Sequence, residues 1–241
     1  MMTAAIGSLA QEYDGGLVGL VVHTVKERIG KDRLRIGDAI SSEAALAAEL
    51  AVSRTVVREA FRALAALGII QLVNGRRARV AAIDADVLGL VLDHAVHTQQ
   101  ISILQIYDVR RTIEMRTVAL AAVRRTTQEA EEIAAHAAAM RANFSDPPVI
   151  MAHDIALHEA IGRASRNPLF ALIVASFSVV TRQTWNVSWI SRPTDAIRME
   201  SIECHEAIAQ GIVARDTRAA IDAMALHFDK SVQALINAGI T

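Results

Sequence analysis

Histidine beside a carboxylate recurs in this sequence. HDIALHEAIG, residues 153–162, and CHEAIA, residues 204–209, share the letters HEAI. A helix carrying H-E-x-x-H would hold zinc between two histidines at i and i+4, with the glutamate as base. After His158 that position is Gly162, and after His205 it is Ala209, so neither copy is that motif. A different pair emerges one turn upstream. Asp154 and His158 stand at i and i+4, which places a carboxylate and an imidazole side by side on a helix. A metal there would need two further ligands from elsewhere in the chain.

The elements that must position them are helices. Hydrophobic residues make up 52%, an excess largely of alanine, with 4 Pro and 4% aromatics, a helix-forming composition. From about residue 97 no strand pattern occurs. The spacing predicts helices near 100–126, 127–143, 147–163, 167–190, 194–211 and 215–235, with Asn167-Pro168 as a cap followed by proline at the first helical position. His205 and His227 are symmetric about residue 216, inside the last predicted turn. An antiparallel hairpin would bring both to about 16 Å from that turn, and Asp154 and His158 to a similar depth on a neighbouring helix. Taken singly, each histidine reads more simply as a core or cap residue. The set of Asp154, His158, His205 and His227 reads as a metal site, suited to zinc, nickel or another mid-row divalent ion. His23, His94, His97, His136 and His153 read as surface or ordinary helix residues, and Cys204 as packed away from the site. The alternative is a metal-dependent hydrolase on the same ligands. Glu159 and Glu206 would be its bases, yet each is rotated about 100° from its neighbouring ligand.

The N-terminal part carries different chemistry. GLVGLVVHTVKERIG places Leu17, Leu20, Val21, Val25 and Ile29 on one face. In SSEAALAAEL, Ser41 or Ser42 can cap, with Leu46 and Leu50 inward. AVSRTVVREAFRALAALG follows, capped by Ser53 and stopped by Gly68, with Val57, Phe61, Leu64 and Leu67 at core spacing. Two short strands, Ile69–Val73 and Arg77–Ala81, meet at Asn74-Gly75. Helices joined by a three-residue turn and followed by a hairpin describe a winged helix-turn-helix. The outer face of its third helix carries Arg54, Thr55, Arg58 and Arg62. Arg54, Thr55 and Arg58 occupy the end that enters a major groove in this motif. Asn74, Gly75, Arg76 and Arg77 at the wing tip are placed to grip phosphate or the minor groove.

Charge is uneven along the chain. Residues 1–82 hold 11 Lys and Arg against 8 Asp and Glu, whereas residues 83–241 hold 14 against 18. A modestly basic N-terminal part on an acidic remainder is compatible with nucleic-acid binding. The longest charge-free stretch, Asn167 to Thr181, is too short to span a bilayer comfortably. The N-terminus lacks a basic start before an apolar run, so no signal peptide is expected. A single cysteine excludes an internal disulfide and suits a cytoplasmic setting.

At this point the sequence resembles a known family. ISSEAALAAELAVSRTVVREAFRALAALGIIQLVNGRRARV resembles the head of GntR-type bacterial transcriptional regulators. YDVRRTIEMRTVALAAVRRT, HDIALHEAIGRASRNPLF, ECHEAIAQGIVARD and DAMALHF resemble the FCD sensor domain of the FadR-like branch. The likeness covers about residues 17–235. It implies DNA contacts by Arg54, Thr55 and Arg58 and a wing glycine at Gly75. It also implies a divalent metal on Asp154, His158, His205 and His227, with a small organic acid bound by its help. Arg110 matches the family's arginine on the first sensor helix, with Glu114 one turn on, and Arg182 is a further effector-binding candidate. Departures are Ser41 for a proline, Ala44 for an arginine, Ala51 for a turn glycine and Leu157 for a phenylalanine; Arg77 and Arg79 stand as extra wing arginines.

The expectation is a mainly α protein. A flexible tail (1–16) precedes a winged helix-turn-helix (17–82), a connector (83–96) containing a short helix, and an all-α antiparallel helical bundle (97–241). The expected function is a ligand-responsive, homodimeric transcription factor, a repressor more often than an activator. Its partners would be palindromic operator DNA and a carboxylate effector, with no membrane.

Overall fold

The computed structural model describes residues 16–73 and 76–240. The residues of the proposed tail up to 15, and Asn74 and Gly75 of the proposed wing tip, lie outside the described residues. Two compact units divide between Val87 and Leu88.

In the first unit, helices α1 (Gly16–Lys31), α2 (Glu43–Glu49) and α3 (Arg54–Ala66) precede strands β1 (Ile70–Gln71) and β2 (Arg79–Val80). Ser42 caps α2 by accepting from the Ala45 amide, and Ser53 caps α3 by accepting from Val56. The core gathers Val21, Val25, Ile40, Leu46, Val57, Phe61, Leu64 and Ile70. Leu67, expected inward, is 57% exposed, because α3 ends one residue before it and Gly68 turns the chain at φ +66°. The strands are shorter than the hydrophobic pattern predicts. They pair antiparallel, Ile70 with Val80 and Gln71 with Arg79. A segment with no strand signal joins them: the Gly37 amide donates to Val80 and the Ile40 amide to Ala78, each at 2.9 Å.

The division falls within α4 (Ala85–His97), into which most of the expected connector folds, and the second unit goes on to α5 (Ile103–Arg124), α6 (Thr127–Ala142) and α7 (Pro147–Ala164). It ends with α8 (Pro168–Ser176), α9 (Ser178–Ile190), α10 (Asp195–Val213) and α11 (Thr217–Asn237). Side-chain caps mark the starts: Ser102 and Thr126 form capping boxes, and Asp146, Asn167, Thr194 and Asp216 cap α7, α8, α10 and α11. Short links make sequential helices neighbours. α6 packs on α7, α10 on α11, and α5 on α7 and α11. The single helix expected over 167–190 is two, broken at Phe177. No glycine or proline marks that break.

Two backbone positions carry consequences. Ala51, a departure from the glycine that the family resemblance implies, adopts φ +51°, a left-handed conformation that costs an L-residue roughly 1–2 kcal/mol. Ala51→Gly is expected to stabilise the head by about 0.5–1 kcal/mol after the unfolded-state entropy of glycine is offset, read from urea unfolding. Gly211 is where α10 presses against α11: a Cβ there would lie 2.7 Å from the Ala220 amide nitrogen and 2.8 Å from its Cα. Gly211→Ala is expected to cost about 1–3 kcal/mol, as overpacking does. Because the hairpin it opens carries His205 and His227, urea unfolding should show a clear loss here and none for Ala substituted at exposed Gly30.

Candidate functional site

Three helices bring one histidine each to a single point. His158 on α7, His205 on α10 and His227 on α11 are buried, at 4%, 3% and 7% exposure. One nitrogen from each lies within 4.8 Å of the other two. Asp154, one turn before His158, adds an oxygen: its Oδ1 is 3.4 Å from His158 Nε2 and 3.3 Å from His205 Nε2. The four sequence-derived ligand candidates therefore converge.

Hydrogen bonds to the outer atoms fix which atoms face inward. His205 Nδ1 donates to the Ser201 carbonyl at 2.8 Å, a partner that can only accept, so its lone pair is on Nε2. His158 Nδ1 donates to Glu114 Oε2. Asp154 Oδ2 accepts from Trp185 Nε1 at 2.7 Å, leaving Oδ1 for the centre. The Nε2 atoms of His158 and His205 are then buried without a hydrogen-bond partner. Buried ring nitrogens without a partner are costly, and here two of them share one focus. A borderline divalent ion held by three imidazole nitrogens and one carboxylate oxygen fits this donor set.

Glu114 and Arg110 stand behind the histidines. Arg110 Nε donates to Glu114 Oε1 at 2.9 Å and its Nη1 to Thr181 Oγ1 at 2.8 Å. Its guanidinium also sits over the rings of Tyr107, Phe177 and Phe228. Glu114, expected as an effector contact, is turned instead onto His158, orienting the ring as an outer partner orients a metal ligand. Arg182 is exposed. The inward face of α9 carries Thr181, Thr184, Trp185, Ser188 and Trp189, and Arg182 points about 100° from Thr181. A small cavity borders the cluster, lined by Arg110, Asp154, Thr181, Trp185, Ser188, Trp189, Arg192, Ser201, His205, His227 and others. Arg192 follows the helix end, where the sequence pattern signals only a stop. His136 and His153 pair with each other through Nδ1 atoms 3.0 Å apart, outside the cluster.

Burial and charge set the protonation. Burial raises the Asp154 carboxyl, but His205 and His158 overcome it and hold the group well below its usual range. Burial lowers His158, and the carboxylates of Glu114 and Asp154 overcome that, raising it to about 9. Burial, then His205 and His158, push His227 far down, so it stays neutral.

The head displays its arginines differently. Arg54, Thr55, Arg58 and Arg62 are exposed on α3, as are Arg76 and Arg77 on the wing. Arg58, Arg62, Arg76 and Arg77 line one open groove together with Ser42 and Glu43. Glu43 lies 3.4 Å from Arg58 Nη2. Arg79 is turned back, donating to the Gly37 carbonyl.

Comparison with known proteins agrees with both halves. Residues 17–80 match the bacterial regulatory proteins of the gntR family, and residues 105–230 match the FCD domain. The chain belongs to the GntR family and carries an FCD domain. Among its relatives is the galactonate operon transcriptional repressor of Escherichia coli K12, 29% identical over 206 residues, 83% of this chain and 88% of that protein. Another is the HTH-type transcriptional regulator LutR of Bacillus subtilis 168, 30% identical over 203 residues, 83% of this chain and 92% of that one. A Streptococcus agalactiae GntR structure, 22% identical, shares the fold at a TM-score of 0.61 over 88% of this chain and 97% of its own. This GntR protein is thus a transcriptional regulator and not an enzyme; the hydrolase alternative finds no support. No described helix is long and apolar enough to cross a membrane.

The charge state yields a measurable expectation. In metal-free protein His158 should titrate near 9 by NMR, so at pH 7 it carries a proton that a metal must expel. Zinc addition at pH 7 is expected to release about one proton per chain. Zinc affinity should climb about tenfold per pH unit from pH 7 toward 9, since the competing imidazolium disappears as pH rises.

Proposed function

We propose that this GntR–FCD protein binds palindromic operator DNA as a homodimer and releases or reshapes that binding when a small organic acid enters a metal-assisted site in the helical unit. The observation that carries the reading is the convergence of Asp154, His158, His205 and His227, with two buried Nε2 atoms left unpartnered. Zinc or nickel is the metal such a donor set favours. A bound divalent ion supplies open coordination positions for a carboxylate. The chain's own part is to orient the ligands through Glu114, Ser201 and Trp185 and to enclose them.

DNA recognition falls to Arg54, Thr55 and Arg58 at the start of α3, with Arg76 and Arg77 on the wing; Asn74 and Gly75, proposed from the sequence for the same contact, lie outside the described residues. Arginine there can pair with a guanine edge or hold phosphate. Glu43, beside Arg58, would hold that guanidinium in one orientation before DNA arrives. A two-fold protein matches a two-fold operator, and an effector acts by binding one arrangement of the dimer more tightly. Repression fits the relatives, and the name of one of them, an operon repressor for galactonate, points to an organic acid. A cytoplasmic setting goes with this role.

Two experiments test the reading. Elemental analysis should find about one metal per chain in wild type and none in His205→Ala; absence from both, even after zinc or nickel is added, would sink the metal site. On duplexes selected from a random pool, Arg58→Ala should weaken binding by about 1–3 kcal/mol with sequence preference lost at one position. Arg76→Ala should weaken all sequences alike. Unchanged binding in both variants would remove the assignment of the head.

A further inference from the structure

The cavity beside the histidines holds a cation without a counter-ion. Arg192 is 8% exposed and lines that cavity together with Trp185, Trp189 and Ser201. Its Nη1 donates to the Ser188 carbonyl at 2.6 Å and to Ser188 Oγ at 2.9 Å. Among the described residues no carboxylate pairs with it. Arg110, by contrast, is matched by Glu114. The carbonyls at the end of α9 offset Arg192 by at most about half a charge, and a buried charge without a partner is strongly unfavourable. Burial correspondingly lowers its pKa, with Asp154 the first of the opposing charges.

The buried charges around the cavity do not balance. Around the cavity Arg110 and Arg192 are positive, Asp154 and Glu114 negative, and a divalent metal on neutral histidines would add two positive charges. The balance is two uncompensated positive charges. They sit at two places, the histidine focus and Arg192, with the hydroxyls of Ser188, Ser201 and Ser231 lining the same cavity. A monocarboxylate can neutralise one place and leaves the other bare.

We propose that Arg192 is the second anion anchor of the effector site, and that the effector is a small dicarboxylic acid with one carboxylate at the histidine focus and the other on Arg192. This rests on the acid-sensor reading above and goes beyond it by naming the ligand's charge and the residue that selects it. Arg182 has no part in it, and Arg110, which lines the same cavity, is already matched by Glu114.

The chain's 2 tryptophans, Trp185 and Trp189, both line the cavity, so intrinsic fluorescence of the zinc-loaded full chain reports its occupancy. Succinate and malate would be titrated against butyrate and lactate in wild type, Arg192→Gln and Arg192→Lys. The diacids are expected to bind wild type at least tenfold more tightly than the monoacids. Arg192→Gln should erase that preference while leaving monoacid binding and zinc content unchanged, and Arg192→Lys should keep part of it. Equal binding of diacids and monoacids in wild type, or an equal loss of both in Arg192→Gln, overturns the anchor and leaves the acid-sensor reading standing. Binding of none of the four acids to wild type overturns the anchor together with the acid-sensor reading. Should Arg192→Gln fail to fold, the wild-type preference and the Arg192→Lys result decide the matter.

Discussion

Burying charge is the constraint on which the helical unit depends. Arg110, Glu114, Asp154 and His158 all lie in the interior, where an unpaired charge would be strongly destabilising. The sequence resolves this by linking them in a row: Arg110 to Glu114, Glu114 to His158, and His158 toward Asp154. Each link uses a helical spacing or a packed helix pair. Arg110 and Glu114 are one turn apart on α5, and so are Asp154 and His158 on α7. Packing of α5 against α7 joins the two pairs. The carboxylates raise His158 and are themselves held ionised by it. The row is therefore charged throughout, and either a proton or a metal can occupy its end.

The same residue types do opposite work in the two units. In the head, arginines stand exposed on α3 and the wing, where they remain hydrated and available to phosphate or base edges. In the helical unit they are enclosed by aromatic rings and hydroxyls, and their charge is available only to what enters the cavity. Composition alone does not separate these roles. Position on the helix does: Arg58 and Arg62 turn to the exposed side of α3, away from Val57 and Leu64, whereas Arg110 shares a buried face with Glu114 and Thr117.

Much of the fold was legible. Ser42, Ser53, Asn167 and Gly68 act where cap and stop chemistry places them, because those signals are local and depend on a few neighbouring amides. What was not legible lacked a local cause. The segment around Gly37–Ile40 joins the wing through hydrogen bonds to residues some forty positions later, and nothing in its own pattern reads as a strand. The break at Phe177 has no glycine or proline. Ser176 Oγ there bonds back to the Ile173 carbonyl, a substitution of side chain for backbone that any serine in a helix can make.

The sequence by itself determined the helical class, the winged head with its exposed arginine face, and the four residues that converge on α7, α10 and α11. Periodicity assigns each residue a face, and short turns make consecutive helices antiparallel, so depth along a hairpin can be reckoned from residue number. Tertiary structure alone decided which faces meet. It turned Glu114 onto His158, set Arg182 toward solvent, and left Arg192, just past a helix end, enclosed beside the cavity with no carboxylate. These outcomes depend on the rotation and offset of helices far apart in the chain. A shift of one residue, about 100° of rotation, exchanges a buried guanidinium for an exposed one.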